Sequence, residues 1–180
     1  MVEVANIKAD IKNNQILLVE VANAKYSEEL VTLSKLLSSL GNVLYVSINR
    51  PYNSLLTLFS QHKIKTDKFF FVDAVTKTAK PSKDLKNVKF ISGPGALTEL
   101  SLSIFASVES HDFYSMLFDS LSTLLIYENS LMITKFVHNL TSRFRTLKTK
   151  AILVIVKEGI GSELVKDLSM FVDKIIRLGG

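Results

Sequence analysis

The polar residues with types suited to chemistry stand where buried apolar runs give way to turns. Asp119 closes the run Met116-Leu117-Phe118 and opens Asp119-Ser120-Leu121-Ser122. A carboxylate there can take part in metal chemistry or cap the short helix that follows. Asn49 and Arg50 follow a second apolar run, and Lys25 and Ser27 follow a third. Asn49 can orient a water but cannot act as its base, while Arg50 and Lys25 offer positive charge to an anion. Ser27 has Glu28 and Glu29 behind it, which suits a helix N-cap, and Lys25 reads as a solvated loop lysine. The chain has no cysteine, and His62, His111 and His138 share neither metal-ligand spacing nor a motif with a serine. No catalytic residue and no metal site is therefore assigned.

The elements that must position these residues alternate along the chain. Apolar runs of strand length at 16–21, 43–48, 69–72, 88–91, 113–118, 151–156 and 174–178 are separated by helix-period segments at 28–40, 53–61, 96–108, 130–147 and 161–171. Most of the strands are continuously apolar, as expected where helices cover both faces of a mainly parallel sheet. The expected fold is a three-layer α/β/α sandwich of about seven strands forming one domain over residues 1–180. Leu30, Leu33, Leu36, Leu37 and Leu40 share one helical face that ends at Gly41, where a left-handed cap is expected. Ile133, Val137, Leu140, Phe144 and Leu147 make the longest apolar stripe, which reads as core. Gly93-Pro94-Gly95 reads as a turn into the next helix. The segment 76–87, lysine-rich and interrupted by Pro81, is expected to be a long, poorly ordered loop.

In a sheet of this kind, ligands bind beyond the carboxyl ends of the strands, so the residues after Val21, Ile48, Phe118 and Val156 are where function is to be sought. Composition limits the classes. The apolar share is 47% and the charged share 22%, which suits a folded domain and not a disordered chain. No apolar stretch is long enough to cross a bilayer, and the opening MVEVANIKADIKNNQ carries acids where a signal peptide would not, so the expected compartment is the cytoplasm. The formal charge of +5 is concentrated, since Lys63, Lys65, Lys68, Lys77, Lys80, Lys83, Lys86 and Lys89 face only Asp67, Asp73 and Asp84 in that segment. Such a patch can meet nucleic acid, but the lysines lack interleaved aromatics and the segment has no arginine, so a solvated face is the simpler reading.

The order of the parts carries a resemblance. The segments VLYVSINRPYNSLL, FFFVDAVT, FISGPGALTELSLSI, the strand and turn ending in DSLS, AILVIVKEG and DKIIRL follow one another as in the RecA superfamily, and the chain resembles its KaiC-like branch. It is also similar to archaeal proteins of that branch that share SGPGALTEL and DSLSTLLIY. The resemblance implies that Asp119 stands where a Walker B carboxylate would, and that a nucleotide site, intact or vestigial, involves Lys25, Ser27, Asn49, Arg50 and Asp119.

The phosphate loop departs from that pattern. Where the family has G-x-x-x-x-G-K-[ST], this chain has EVANAKYS over 20–27, which keeps only the final hydroxyl. In the register that aligns Lys25 with the family lysine, Val19 and Ala24 take the glycine positions and Tyr26 takes the magnesium ligand's. Glycines there let backbone N–H groups curl around phosphates, and side chains obstruct that approach. Glu28 and Glu29 also occupy the positive end of the following helix. At an effective dielectric near 20 and ~6 Å, each carboxylate aimed at a phosphate charge costs on the order of 2–3 kcal/mol. The family's catalytic glutamates are replaced by Asn49 and Arg50.

The expectation is therefore a non-catalytic RecA/KaiC-like domain with no cofactor, acting as a protein-interaction or regulatory module through a homo-oligomer or a protein partner. A mean hydropathy of +0.26 fits excess apolar surface. One alternative is a sensor or weak ATPase that binds Mg-ATP through Lys25 or Arg50 with Asp119 in a magnesium shell. Another is a nucleic-acid-binding RecA paralogue using the lysine-rich segment or Arg143, Arg145, Lys148 and Lys150, residues that also suit a helix C-terminus.

Overall fold

A computed structural model describes residues 2–179. Its strands are β1 (Ile16–Val21), β2 (Val43–Ser47), β3 (Phe69–Asp73), β4 (Val88–Phe90), β5 (Ser115–Asp119), β6 (Lys150–Val156) and β7 (Lys174–Leu178). All pair in parallel as one sheet of order β4-β3-β2-β5-β6-β1-β7. The helices are α1 (Val2–Asn13), α2 (Tyr26–Leu40), α3 (Tyr52–Gln61), α4 (Thr76–Ala79), α5 (Leu97–Ser110), α6 (Leu121–Leu124), α7 (Ser130–Phe144) and α8 (Ser162–Ser169).

Period-two alternation divides each strand between two cores. On one side Leu17, Val19, Tyr45, Phe71 and Leu117 pack with residues of α1, α2 and α3. On the other, Leu18, Leu44, Val46, Phe118 and Leu153 pack with α5, α6, α7 and α8. The three-layer α/β/α arrangement thus follows from strands buried on both faces, and the α7 stripe of Ile133, Val137, Leu140 and Phe144 is core as expected.

Several local expectations are corrected. No element is expected at the amino terminus, yet α1 forms there; its buried contacts include Ile7 and Ile11, one helical turn apart. Its carboxyl end is held by Lys150, whose Nζ donates to the carbonyls of Lys12 and Asn14 at 3.0 and 2.7 Å. Gly41 is extended, with φ 167°, so a left-handed cap is not what requires glycine. A Cβ there would lie 2.5 Å from the Cβ of Tyr114, and it is this close approach that excludes a side chain. The 76–87 segment is tied down: α4 occupies its start, Lys77 Nζ donates to the Phe90 carbonyl at 2.6 Å, and Leu85 bridges Val88.

Arg143, Arg145 and Lys150 do not form a free basic face. Arg143 pairs with Glu109 and lies over the Phe105 ring, and Arg145 pairs with Asp173 at 2.8 Å. Among the described residues no helix is long and apolar enough to cross a membrane.

Candidate functional site

The register places three polar residues in one row at the carboxyl ends of β3, β2 and β5, with Ser47 opposite both Asp73 and Asp119. All three are fully buried. They share the parity of Tyr45, Phe71 and Leu117, so they point toward the layer that holds α2 and α3.

Asp119 meets two phenols. Tyr26 Oη, from the first residue of α2, donates to Oδ1, and Tyr45 Oη, from β2, donates to Oδ2 at 2.6 Å. A buried tyrosine must find a partner for its hydroxyl, and here two tyrosines find the same carboxyl group. Burial pushes the Asp119 acid up to about 8 and raises Tyr45 as well. Asn49 Nδ2 lies 3.4 Å from Tyr26 Oη, and the Arg50 guanidinium sits 6.0 Å from the centroid of the Tyr26 ring. Arg50 Nη2 donates to Ser27 Oγ at 2.6 Å. Ser27 is therefore not the N-cap of α2: the helix begins one residue earlier, and its hydroxyl serves as an acceptor for Arg50.

Four of the five sequence-derived residues thus meet around Tyr26: Ser27, Asn49, Arg50 and Asp119. Lys25 does not join them. Its ammonium pairs with Glu28 at 2.9 Å, which raises its pKa, and its Cβ lies 2.7 Å from where a Gly179 Cβ would be. Gly179 holds φ at +72°, so a side chain there would meet both backbone strain and the lysine. Asp119 does not cap α6, and neither does the Ser120 side chain, which contacts Thr123 Oγ1 at 3.2 Å.

The turn between β1 and α2 is a single 3-10 turn, Asn23–Lys25. Three amides of this stretch have partners: Ala22 N–H donates to Leu178 O at 3.3 Å, Asn23 N–H to Glu158 Oε2 at 2.8 Å, and Lys25 N–H to Ala22 O at 2.9 Å. A third carboxylate, Glu158 from the 3-10 turn that follows β6, thus holds an amide that a phosphate oxygen would need.

Sequence reasoning missed Tyr45 and assigned Tyr26 only a lost ligand position. The available signal was Tyr45 itself, a hydroxyl inside an apolar strand. Asp73 was missed too. Its Oδ2 accepts from Tyr52 N–H at 2.7 Å and from Thr76 Oγ1, and its Oδ1 accepts from Val75 and Thr76 N–H at 2.6 and 2.8 Å. It thereby ties the starts of α3 and α4 to β3. Among the described residues no group of three or more His, Asp or Glu side chains could hold a metal.

No protein-family model and no curated protein matches the sequence. Solved structures do match the fold. The KaiC-like protein PH0186 from the hyperthermophilic archaeon Pyrococcus horikoshii OT3 superposes with a TM-score of 0.65 at 10% identity, over 91% of this chain and 70% of that one. The flagellar accessory protein FlaH from Methanocaldococcus jannaschii superposes with a TM-score of 0.54 at 14% identity, with the same two coverages. The parallel seven-stranded sheet between two helical layers agrees with the fold expected from the sequence, and the fold of this chain is the RecA-like fold of the KaiC-like proteins.

Proposed function

We propose that this protein is a non-catalytic RecA-like domain that works through contacts with other proteins, its own copies included. The observation that carries this reading is the closure of Asp119: fully buried, with each carboxyl oxygen taken by a tyrosine hydroxyl. A magnesium ion needs an accessible, ionised oxygen at that place. The β1–α2 turn adds to the misfit, because the Ala22, Asn23 and Lys25 amides are engaged and the Asn23 amide is held by the Glu158 carboxylate. The residues present do not fit a magnesium triphosphate. Lys25 and Arg50, the cations that could have held phosphates, are turned to Glu28 and Ser27.

The interaction half of the reading rests on exposed apolar side chains that folding leaves unused. Leu102 of α5 and Met132 of α7 line one concavity, and Ile126, Tyr127 and Leu131 lie on the connector and helix start beside it. Ile126 is 76% exposed, Leu102 64% and Leu131 62%. A run of large apolar residues left in water on one side of a molecule marks a contact surface.

Calorimetry with millimolar Mg-ATP tests the first half. Silence is expected, in wild type and in Asp119→Ala alike; micromolar binding that vanishes in Asp119→Ala would overturn the reading. For the second half, sedimentation of the wild type and of Ile126→Glu with Leu131→Glu reads self-association directly. A wild type that neither self-associates nor retains any protein partner that the double variant loses would remove the interaction role.

A further inference from the structure

The opposite edge of the sheet, where the strands begin, carries a concavity of another character. Its floor is aromatic. Phe70, near the start of β3, and His111 and Phe113, just before β5, come together with His111 5.0 Å from Phe70 and 5.5 Å from Phe113, ring centroid to centroid. Phe113 is buried, Phe70 is half-buried and His111 is exposed. His111 Nδ1 lies 3.2 Å from the Ser107 carbonyl, which fixes the ring's orientation. The cavity over these rings holds about 560 Å³ and has Lys68 and Lys86 on its walls. It adjoins a second concavity of about 380 Å³ that shares Lys68 and is lined by Lys35, Lys63 and Lys65. Asp67 and Asp112 are the carboxylates on these walls. None of the five lysines makes an ion pair among the described residues.

Two of those lysines, Lys63 and Lys65, follow the end of α3 and line the second concavity. After α3 the chain closes with Lys63 N–H on Ser60 O and Ile64 N–H on Phe59 O, the double bond pattern of a left-handed helix stop. The left-handed residue is Lys63 itself, at φ 57°, where glycine would be less strained. A lysine held in this left-handed conformation, with Lys65 just beyond and both lining the second concavity, points to a use for its charge.

We propose that this groove binds single-stranded nucleic acid, a base stacking on Phe70 and His111 while the adjoining phosphates run along Lys68, Lys65, Lys63 and Lys35. The lysines supply the sequence-independent attraction to phosphates, and the exposed His111 with the half-buried Phe70 supplies an aromatic surface on which any base can stack. Bases paired inside a duplex cannot offer a face to His111, so the groove selects the single strand. This site lies at the end of the sheet away from Asp119 and does not depend on the proposal made for that residue.

Fluorescence anisotropy with a labelled twelve-nucleotide single strand and its duplex, at 50 and 200 mM salt, tests the proposal. The single strand is expected to bind at 50 mM and to weaken roughly tenfold to a hundredfold at 200 mM, the slope of about three to five phosphate contacts. His111→Ala, at an exposed position, should weaken it about tenfold, Lys65→Glu with Lys68→Glu should abolish it, and Lys83→Glu, outside both concavities, should leave it unchanged. Lys63→Gly is expected to raise the melting temperature while weakening binding, a combination that loss of folding cannot produce. No binding at 50 mM, equal binding of duplex and single strand, or insensitivity to His111→Ala would overturn it. Inorganic polyphosphate competing as well as the oligonucleotide would do the same, by reducing the site to a bare cation patch.

Discussion

Asp73 and Asp119 stand in the same row of the sheet, each opposite Ser47 and each fully buried, yet they are surrounded in opposite ways. Asp73 collects three backbone N–H groups and a hydroxyl at the beginnings of α3 and α4, all of them donors aimed at its two oxygens. Among the described residues Asp119 has two phenols as its partners, each of which can also accept, and no backbone N–H donates to its carboxyl oxygens. Fixed donors compensate a buried carboxylate's lost hydration, whereas burial without them favours the proton. Two aspartates at equivalent strand ends therefore do different work: Asp73 joins elements, and Asp119 closes a site.

The largest effect expected from this contrast is on pH dependence. Asp119 has its folded-state pKa raised by burial from 3.8 to about 8. The stability it confers is fully present below the unfolded value and is lost as pH rises through the folded one. At ~1.4 kcal/mol per unit, the decline between about pH 4 and 8 is on the order of 5 kcal/mol. Urea denaturation of wild type against Asp119→Asn, across that range, isolates the term. The variant carries no titrating group there and should be the more stable protein at high pH; parallel curves would show that Asp119 is not the group that burial perturbs.

The same substitution at the other aspartate should act with the opposite sign. Asp73→Asn turns an amide donor toward a nest of donors and should cost about 3 kcal/mol, a fall in melting temperature of about 10 °C. An unchanged melting temperature would mean that a single amide oxygen satisfies the four donors as well as the carboxyl group does. Smallest is Tyr26→Phe, which removes one of the two phenols from Asp119 and should cost about 1–2 kcal/mol, more at pH 9 than at pH 6 because a hydroxyl donor supports the ionised acid. A pH-independent cost would assign the loss to ring packing alone.

The apolar runs were legible because they are local. β1 and β7 have the bounds read from the sequence, β5 starts two residues later and ends one later, the other strands differ by one residue at one end, and the two-sided burial follows from their continuous hydrophobicity. Helix starts were less legible. Ser27, expected as the N-cap of a helix over 28–40, lies inside the first turn of α2, which opens at Tyr26 after Lys25, and its hydroxyl meets a guanidinium instead of a backbone amide. The amino-terminal helix gave a faint period in a segment otherwise polar.

The sequence by itself determined the layered α/β arrangement, the position of Asp119 at a strand end and the absence of loop glycines beside it. Only the tertiary structure decided what surrounds each polar group. The phenols that close Asp119 come from residues 93 and 74 positions away. Phe70 and His111, 41 positions apart in the chain, meet beside Lys68 and Lys86. Hydrophobic period is set by neighbours along the chain, whereas a buried polar group's protonation and an exposed ring's company are set by whatever the sheet brings alongside.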